Sequence, residues 1–175
     1  PLRRIKMIIE LKSLDEIDPC EFAYYANDPN INTYLRNSFP APYTLDHALS
    51  FITHSLQHHA LDFAIVVDGK CVGCVGVTFQ KDIFLKNAEI GYWLNSQYWG
   101  KGIMSQVIKM LCSYLFSNYT IHKICADVFA ENKASCIVLE KNGFIQEGYR
   151  REHIYKDGCY HDLILYALWR NSDEY

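Results

Sequence analysis

Residues 89–115 read EIGYWLNSQYWGKGIMSQVIKMLCSYL, and the change of pattern inside this stretch decides the fold. Ile90 to Leu94 is short, apolar and rich in aromatic and β-branched types, which predicts a strand. Asn95 to Gly102 is polar and glycine-rich, which predicts a turn. Beyond it Ile103, Val107, Leu111 and Leu115 recur every fourth residue and predict one face of a helix. The unit is strand, loop, helix, and the loop delivers Gly100 and Gly102 to the helix N-terminus. The first N–H groups of a helix have no intrahelical partner, and the helix dipole adds partial positive charge there, so such a terminus suits an anion such as phosphate. Glycines let the anion approach the backbone. Lys101 adds a charge and Gln97 an amide. The spacing Gln-x-x-Gly-x-Gly is neither G-x-x-x-x-G-K-S/T nor G-x-G-x-x-G, which disfavours a nucleoside triphosphate or a nicotinamide cofactor. The plain alternative is a glycine-rich loop that only caps a helix.

Upstream, Met7 to Lys12 alternates like a strand. Asp18-Pro19 opens a helix carrying Phe22 and Tyr25, which should end by Asn27-Asp28-Pro29. Residues 30–42 read as irregular. Thr44 is an N-cap with His47 at the capping-box position, and the helix behind it sets Leu45, Leu49, Ile52 and Leu56 on one face. Phe63–Val67 and Cys71–Phe79 flank an Asp68-Gly69 hairpin turn, and Asn87–Leu94 is the next strand. Downstream, Lys123–Phe129 is a strand, so that strand, crossover helix and strand make a right-handed parallel unit. Asn132 caps a helix that ends at Gly143. Phe144–Tyr155 and Tyr160–Trp169 form a closing hairpin around Asp157-Gly158. The expected sheet is mixed, with helices on both faces.

The length of 175 residues favours one domain spanning 1–175, and the 50% hydrophobic and 21% charged composition is that of a globular fold. A net charge of −3 gives no electrostatic footprint for nucleic acid. No apolar run approaches a membrane span. The seven cysteines sit mostly in apolar contexts, their number is odd, and a cytoplasmic setting is expected. Residues 1–6 precede Met7, which reads either as a native start behind a vector remnant or as part of a trimmed chain. Cys71-x-x-Cys74 and the His54, His58 pair each lack further ligands in sequence, so no metal is expected.

Gln97-Tyr-Trp-Gly-Lys-Gly102, preceded by Glu89-Ile-Gly-Tyr-Trp-Leu94, resembles the acetyl-CoA pyrophosphate loop of the GNAT superfamily of N-acetyltransferases, in particular its ribosomal-protein-serine/alanine branch. Ala130–Phe144, containing Asn132 and Ser135, is a second block of resemblance; Gly148–Glu152 with Tyr155–Asp162 is a third. The blocks come in the family's order and cover almost the whole chain. The resemblance implies an α/β (α+β) GNAT fold, a mixed sheet of about seven strands whose parallel strands splay to hold CoA. It implies direct acetyl transfer from acetyl-CoA to a primary amine in a ternary complex. The implied acceptor is a protein N-terminal α-amine; a polyamine or aminoglycoside, or an inactive acyl-CoA sensor, are the alternatives. In that family Gln97 and the backbone of Gly100, Lys101, Gly102, Ile103 and Met104 would hold the pyrophosphate, and the strand Tyr92, Trp93, Leu94 would pair with the pantetheine amides. The two N-terminal helices would wall the acceptor groove.

Alternation puts Glu89, Gly91 and Trp93 on one strand face beside the presumed cleft, so Glu89 is the candidate base, or else a solvated residue at a strand start. Glu152 and His153 are alternates; some relatives have a carboxylate where this chain has Ile154. Many relatives have a tyrosine proton donor where this chain has Leu139; Ser135 fits the ribosomal-protein branch as donor instead, with Asn132 on the pantetheine arm. The plainer reading makes Asn132 an N-cap and Ser135 a first-turn residue. Asp162 is either structural or acceptor-facing. Aromatics such as Trp169 and Tyr175 are compatible with a homodimer.

Overall fold

Two Asp-Gly turns fold the two ends of the sheet in this computed structural model. Asp68 and Gly69 have φ of +48° and +81°, Asp157 and Gly158 +50° and +81°, the paired left-handed geometry whose twist matches antiparallel strands. The first joins β2 (Leu61–Val67) to β3 (Lys70–Phe79) and the second joins β6 (Ile145–Lys156) to β7 (Cys159–Trp169). With β1 (Ile9–Ser13), β4 (Asn87–Leu94) and β5 (Lys123–Phe129) they form one seven-stranded sheet in the order β1-β2-β3-β4-β5-β7-β6. β4 and β5 pair in parallel, joined by the crossover helix α4 (Ile103–Asn118), and the other neighbours are antiparallel. The structure describes residues 7–170; the segment 1–6 and Tyr175 lie outside the described residues.

Each face of the sheet has its own core. α4 and α5 (Lys133–Lys141) cover one face, where Val107, Leu111 and Leu115 meet Ala88, Ile90, Ile124 and Leu139. α1 (Pro19–Ala26) and α3 (Leu45–Gln57) cover the other, where Phe22, Ala48 and Ile52 meet Ala64, Val66 and Cys74. Each fully buried Leu, Ile or Phe contributes roughly 1.5–3 kcal/mol. The expected helix at 103 and the Thr44–His47 capping box are both present: the His47 N–H donates to the Thr44 hydroxyl, and the Thr44 N–H donates to the His47 ring.

Three readings are corrected. α3 does not bury Leu45, Leu49 and Leu56, which are about two-fifths exposed; its inward line is Ala48, Ile52 and Ser55. Small residues on that line let α3 approach the sheet, and Ser55 Oγ donates to Asp62 at 2.7 Å. The irregular stretch 30–42 overlaps a short helix, α2 (Pro29–Asn32), N-capped by Asp28. Phe144 is a core residue just before β6, not a strand residue. Cys71 and Cys74 are buried free thiols in β3, and burial pushes the Cys71 thiol up to about 12, so it stays protonated and inert. The His54 and His58 rings stack at 4.1 Å.

Candidate active site

β4 and β5 pair only at Asn87–Lys123, Ala88–Ile124 and Glu89–Cys125. Both strands run on, β4 to Leu94 and β5 to Phe129. Their outer edges stay paired throughout, Leu94 with Gly73 of β3 and Phe129 with Leu163 of β7. The sheet therefore opens from within, as a fork. Facing the gap, the backbone groups of Ile90 and Tyr92 on β4 and of Asp127 on β5 are left without a strand partner, while the Leu94 carbonyl is taken by Trp99 and the Phe129 carbonyl by Asn132 N; an extended guest can add itself as a strand to such an edge.

The N-terminus of α4 lies beyond the open end of β4. Gly100 and Gly102 have φ of +70° and +75°, and a Cβ built on either would meet nothing within 4 Å, so the space over this loop is free. Asn95 fixes the loop from beneath: its buried side chain donates to Tyr25 O at 3.0 Å and accepts from Gln97 N at 3.1 Å. Trp99 Nε1 donates to Leu94 O at 2.7 Å. Asp28 accepts from Ser96 N at 2.7 Å; burial alone would raise its carboxyl, but hydrogen bonds from Ser96 and Asn30 hold it below the usual value. Lys101 lies over the Tyr98 ring. Ile103 and Met104 are buried, so they offer backbone rather than side chains. Gln97 lines a cavity of about 440 Å³ with Tyr24, Asp28 and Asn30. A phosphate-bearing ligand with an amide-containing arm, such as acetyl-CoA, fits this arrangement: a free helix N-terminus for the anion and an unpaired strand edge for the amides.

The strand Tyr92-Trp93-Leu94 divides between the two faces. Trp93 packs edge-on to Phe22, ring centroids 5.3 Å apart, in the α1/α3 core. Tyr92 points to the α4/α5 side, where its hydroxyl lies 2.5 Å from Ser135 Oγ. Burial pushes the Tyr92 phenol up to about 12, against a smaller downward pull from Ser135. Asn132 caps α5, its Oδ1 accepting from Ser135 N at 3.2 Å. Leu139 is fully buried in the core.

Glu89 sits at the last β4–β5 pair, on the opposite face from Tyr92. Its Oε1 lies 3.2 Å from Arg36 Nη2. Together with Asp62, Gly76, Thr78 and Gly91 these two line a cavity of about 220 Å³. Gly76 and Gly91 are register partners and make its floor; the Asp62 carboxylate lies directly over Gly76. Sequence reasoning missed Arg36 and Asp62. The signal for Asp62 was there: it shares the strand parity of Ala64 and Val66, an acid on an otherwise apolar face. Arg36 leaves no such signal.

The alternates Glu152 and His153 lie in a bulge of β6, where the register breaks between Arg150 and Ile154 and Glu152 takes a φ of +49°. Asp162 staples this bulge, accepting from Glu152 N at 2.7 Å and from the Tyr149 hydroxyl. His153 pairs with Arg150.

Known proteins share both this architecture and this sequence pattern. A structure of the RimL ribosomal L7/L12 α-N-protein acetyltransferase in complex with coenzyme A superposes with a TM-score of 0.80 over 92% of this chain and 93% of that one, at 23% identity. An uncharacterized prophage-derived N-acetyltransferase of Bacillus subtilis, YokL, is 30% identical over 145 residues, 80% of each chain. The ribosomal-protein-serine acetyltransferase of Escherichia coli is 34% identical over 109 residues, 62% of this chain and 60% of that protein. The chain spans 63%, 59% and 47% of the length of three other Bacillus subtilis relatives. Residues 8–145 match the acetyltransferase (GNAT) domain family, and with most of its length inside that match the chain belongs to the family.

Proposed function

We propose that the protein transfers an acetyl group from acetyl-CoA to a primary amine, and that the acceptor is a protein N-terminal α-amine. The observation that carries this is the fork: an unpaired strand edge that runs from the free N-terminus of α4 to a carboxylate, Glu89, at its closed end. Similarity to a ribosomal-protein-serine acetyltransferase supports the acceptor class.

The chemistry asks little of the side chains. An α-amine has a pKa near 8, against about 10.4 for a lysine, so a modest base acting through water suffices. Glu89, through water, takes one proton from the ammonium; the freed amine nitrogen forms its bond to the acetyl carbon and gives up its second proton to solvent, and the carbon–sulfur bond breaks with its electron pair on sulfur. A β4 backbone N–H hydrogen-bonds the acetyl oxygen as charge grows on it. Ser135, held by Tyr92, donates a hydrogen bond to the leaving sulfur. A phenol at about 12 does not yield its proton to a thiolate whose own pKa is near 8.5, so the dyad stabilises the leaving group and solvent protonates it. Alignment of the two reactants in the fork supplies most of the acceleration.

The test is release of free CoA from acetyl-CoA against N-terminal peptides, polyamines and aminoglycosides. Turnover confined to peptides supports the full reading. Turnover confined to polyamines would favour a second reading, which the Asp62 carboxylate of the 220 Å³ groove supports, since it adds a negative charge beyond the Arg36–Glu89 pair. Binding of acetyl-CoA with no release on any member would leave an acyl-CoA-binding protein without the activity.

A further inference from the structure

Residues 33–36 cross the fork as a strap, on the face that carries Glu89. Ile124, Ala126 and Val128 pack with α4 and α5, so alternation puts Cys125, Asp127 and Phe129 on the Glu89 face. Tyr34 rests its ring on Phe129 at the open end of β5, centroids 5.6 Å apart. Arg36 reaches Glu89 where β4 and β5 part. The strap is therefore an outer wall of the acceptor side of the cleft.

The Arg36–Glu89 pair cannot hold this wall. The Arg36 side chain is 84% exposed, and an exposed ion pair is too weak to immobilise two long side chains. What fixes the strap is Lys156, near the tip of the β6–β7 ribbon and only 9% exposed. Its Nζ donates to Asn32 O at 2.7 Å and to Leu35 O at 2.6 Å. Leu35 N also returns to Asn32 O at 3.2 Å, so the turn is closed on itself before the lysine clamps it. Burying an ammonium is unfavourable unless its protons find acceptors. Here both acceptors are backbone carbonyls, Asn32 O at the end of α2 and Leu35 O in the turn that follows it. Leu35 immediately precedes Arg36, so the clamp sets where the guanidinium begins.

We propose that Lys156 is a positioning residue for the acceptor amine: it latches the 33–36 strap to the β6–β7 ribbon and so holds Arg36 on Glu89. Arg36 engages one carboxylate oxygen and leaves the other for the amine or its water. The latch stands on its own geometry; its catalytic consequence rests on the acetyl-transfer reading.

Two measurements test it. Lys156→Met removes the ammonium and keeps an unbranched apolar side chain. Amide hydrogen exchange in a peptide spanning residues 33–38 should quicken at least tenfold, with exchange in α4 and the dissociation constant for CoA unchanged. Unchanged exchange at 33–38 overturns the latch. With an N-terminal serine hexapeptide or spermidine, whichever the enzyme turns over, KM for the acceptor should rise about tenfold in Lys156→Met and in Arg36→Ala, and the double variant should be no worse than either alone. Additive losses would show that Lys156 does not act through Arg36 and would overturn the positioning role. If no member of the peptide, polyamine and aminoglycoside panel is turned over while CoA binds, the acetyl-transfer reading fails and the exchange result still decides the latch. Should Lys156→Met not fold, Lys156→Gln is carried through the same measurements, with the same outcomes supporting or overturning the proposal.

Discussion

Glu89 occupies the last residue pair before β4 and β5 separate, so a side chain there reaches the closed end of the cleft without obstructing it. Glu89→Gln keeps size and polarity but not the ability to take a proton. We expect kcat to fall about 100-fold, the lower range for losing a general base, while affinity for acetyl-CoA stays within about twofold. Full turnover across the pH range would remove Glu89 from the mechanism. On the other face, Ser135→Ala and Tyr92→Phe each break the same 2.5 Å contact. Rates of the two single variants and the double should reveal strong non-additivity, the double being little slower than Ser135→Ala; independent, multiplying losses would mean that the hydroxyls act separately. Glu89 and Ser135 were legible in the sequence because each sits in a local pattern, a strand parity and a first helical turn. Arg36 and Lys156 were not. Their contacts span 53 and 121 residues, and no periodicity or spacing records a partner that far away.

Elements carry the site through their ends, and two substitutions separate end effects from ligand effects. Gly69 and Gly102 both take left-handed φ values, and at both a Cβ would meet open space. Alanine at either should cost about 1 kcal/mol of stability through backbone strain alone. Only Gly102→Ala should also weaken CoA binding, several-fold, because only its open space lies over the N-terminus of α4; equal binding in both variants would place the phosphate elsewhere. Asp28 joins α2 to the same loop through Ser96 and Asn30. Asp28→Asn retains an N-cap and removes the charge, so it should cost about 1–2 kcal/mol at pH 7 by urea unfolding. The folded carboxyl lies below its ordinary value, so its contribution is present above about pH 4 and is lost as pH falls through the folded pKa; the variant and the parent should converge in acid. A gap that persists once the folded carboxyl is itself protonated would mean shape, not charge, matters there. Element reading from sequence succeeded where a pattern was continuous, as from Asn87 to Asn118. It failed on α3, because an apolar stripe of leucines marked a flank while Ala48 and Ser55, which look unremarkable in sequence, face the sheet.

At the scale of the molecule, the sheet is two half-sheets, β1–β4 and β5–β7, joined along a seam of three parallel residue pairs and wrapped by a core on each face. The fork proposed to receive the ligand is the same place where the two halves are least connected. A guest strand that pairs with both inner edges replaces the missing ladder, so binding and cohesion of the sheet become one quantity. Saturation with CoA at 100 times its dissociation constant should raise the unfolding free energy by about 2.7 kcal/mol, from the relation between ligand occupancy and stability. Any site would do that. What the proposed binding in the fork adds is the distribution of protection: amide exchange should slow at the gap-facing amides of Ile90–Leu94 and at Asp127 together, the result expected of an arm lying between the two strands. Protection confined to the N-terminus of α4 would mean that the phosphate end binds while the cleft stays open, and transfer between β4 and β5 would then lack its alignment. Protection of both strands, lost together in Gly102→Ala at subsaturating CoA, would tie the anion site to the seam and make the ligand the strut that completes the sheet.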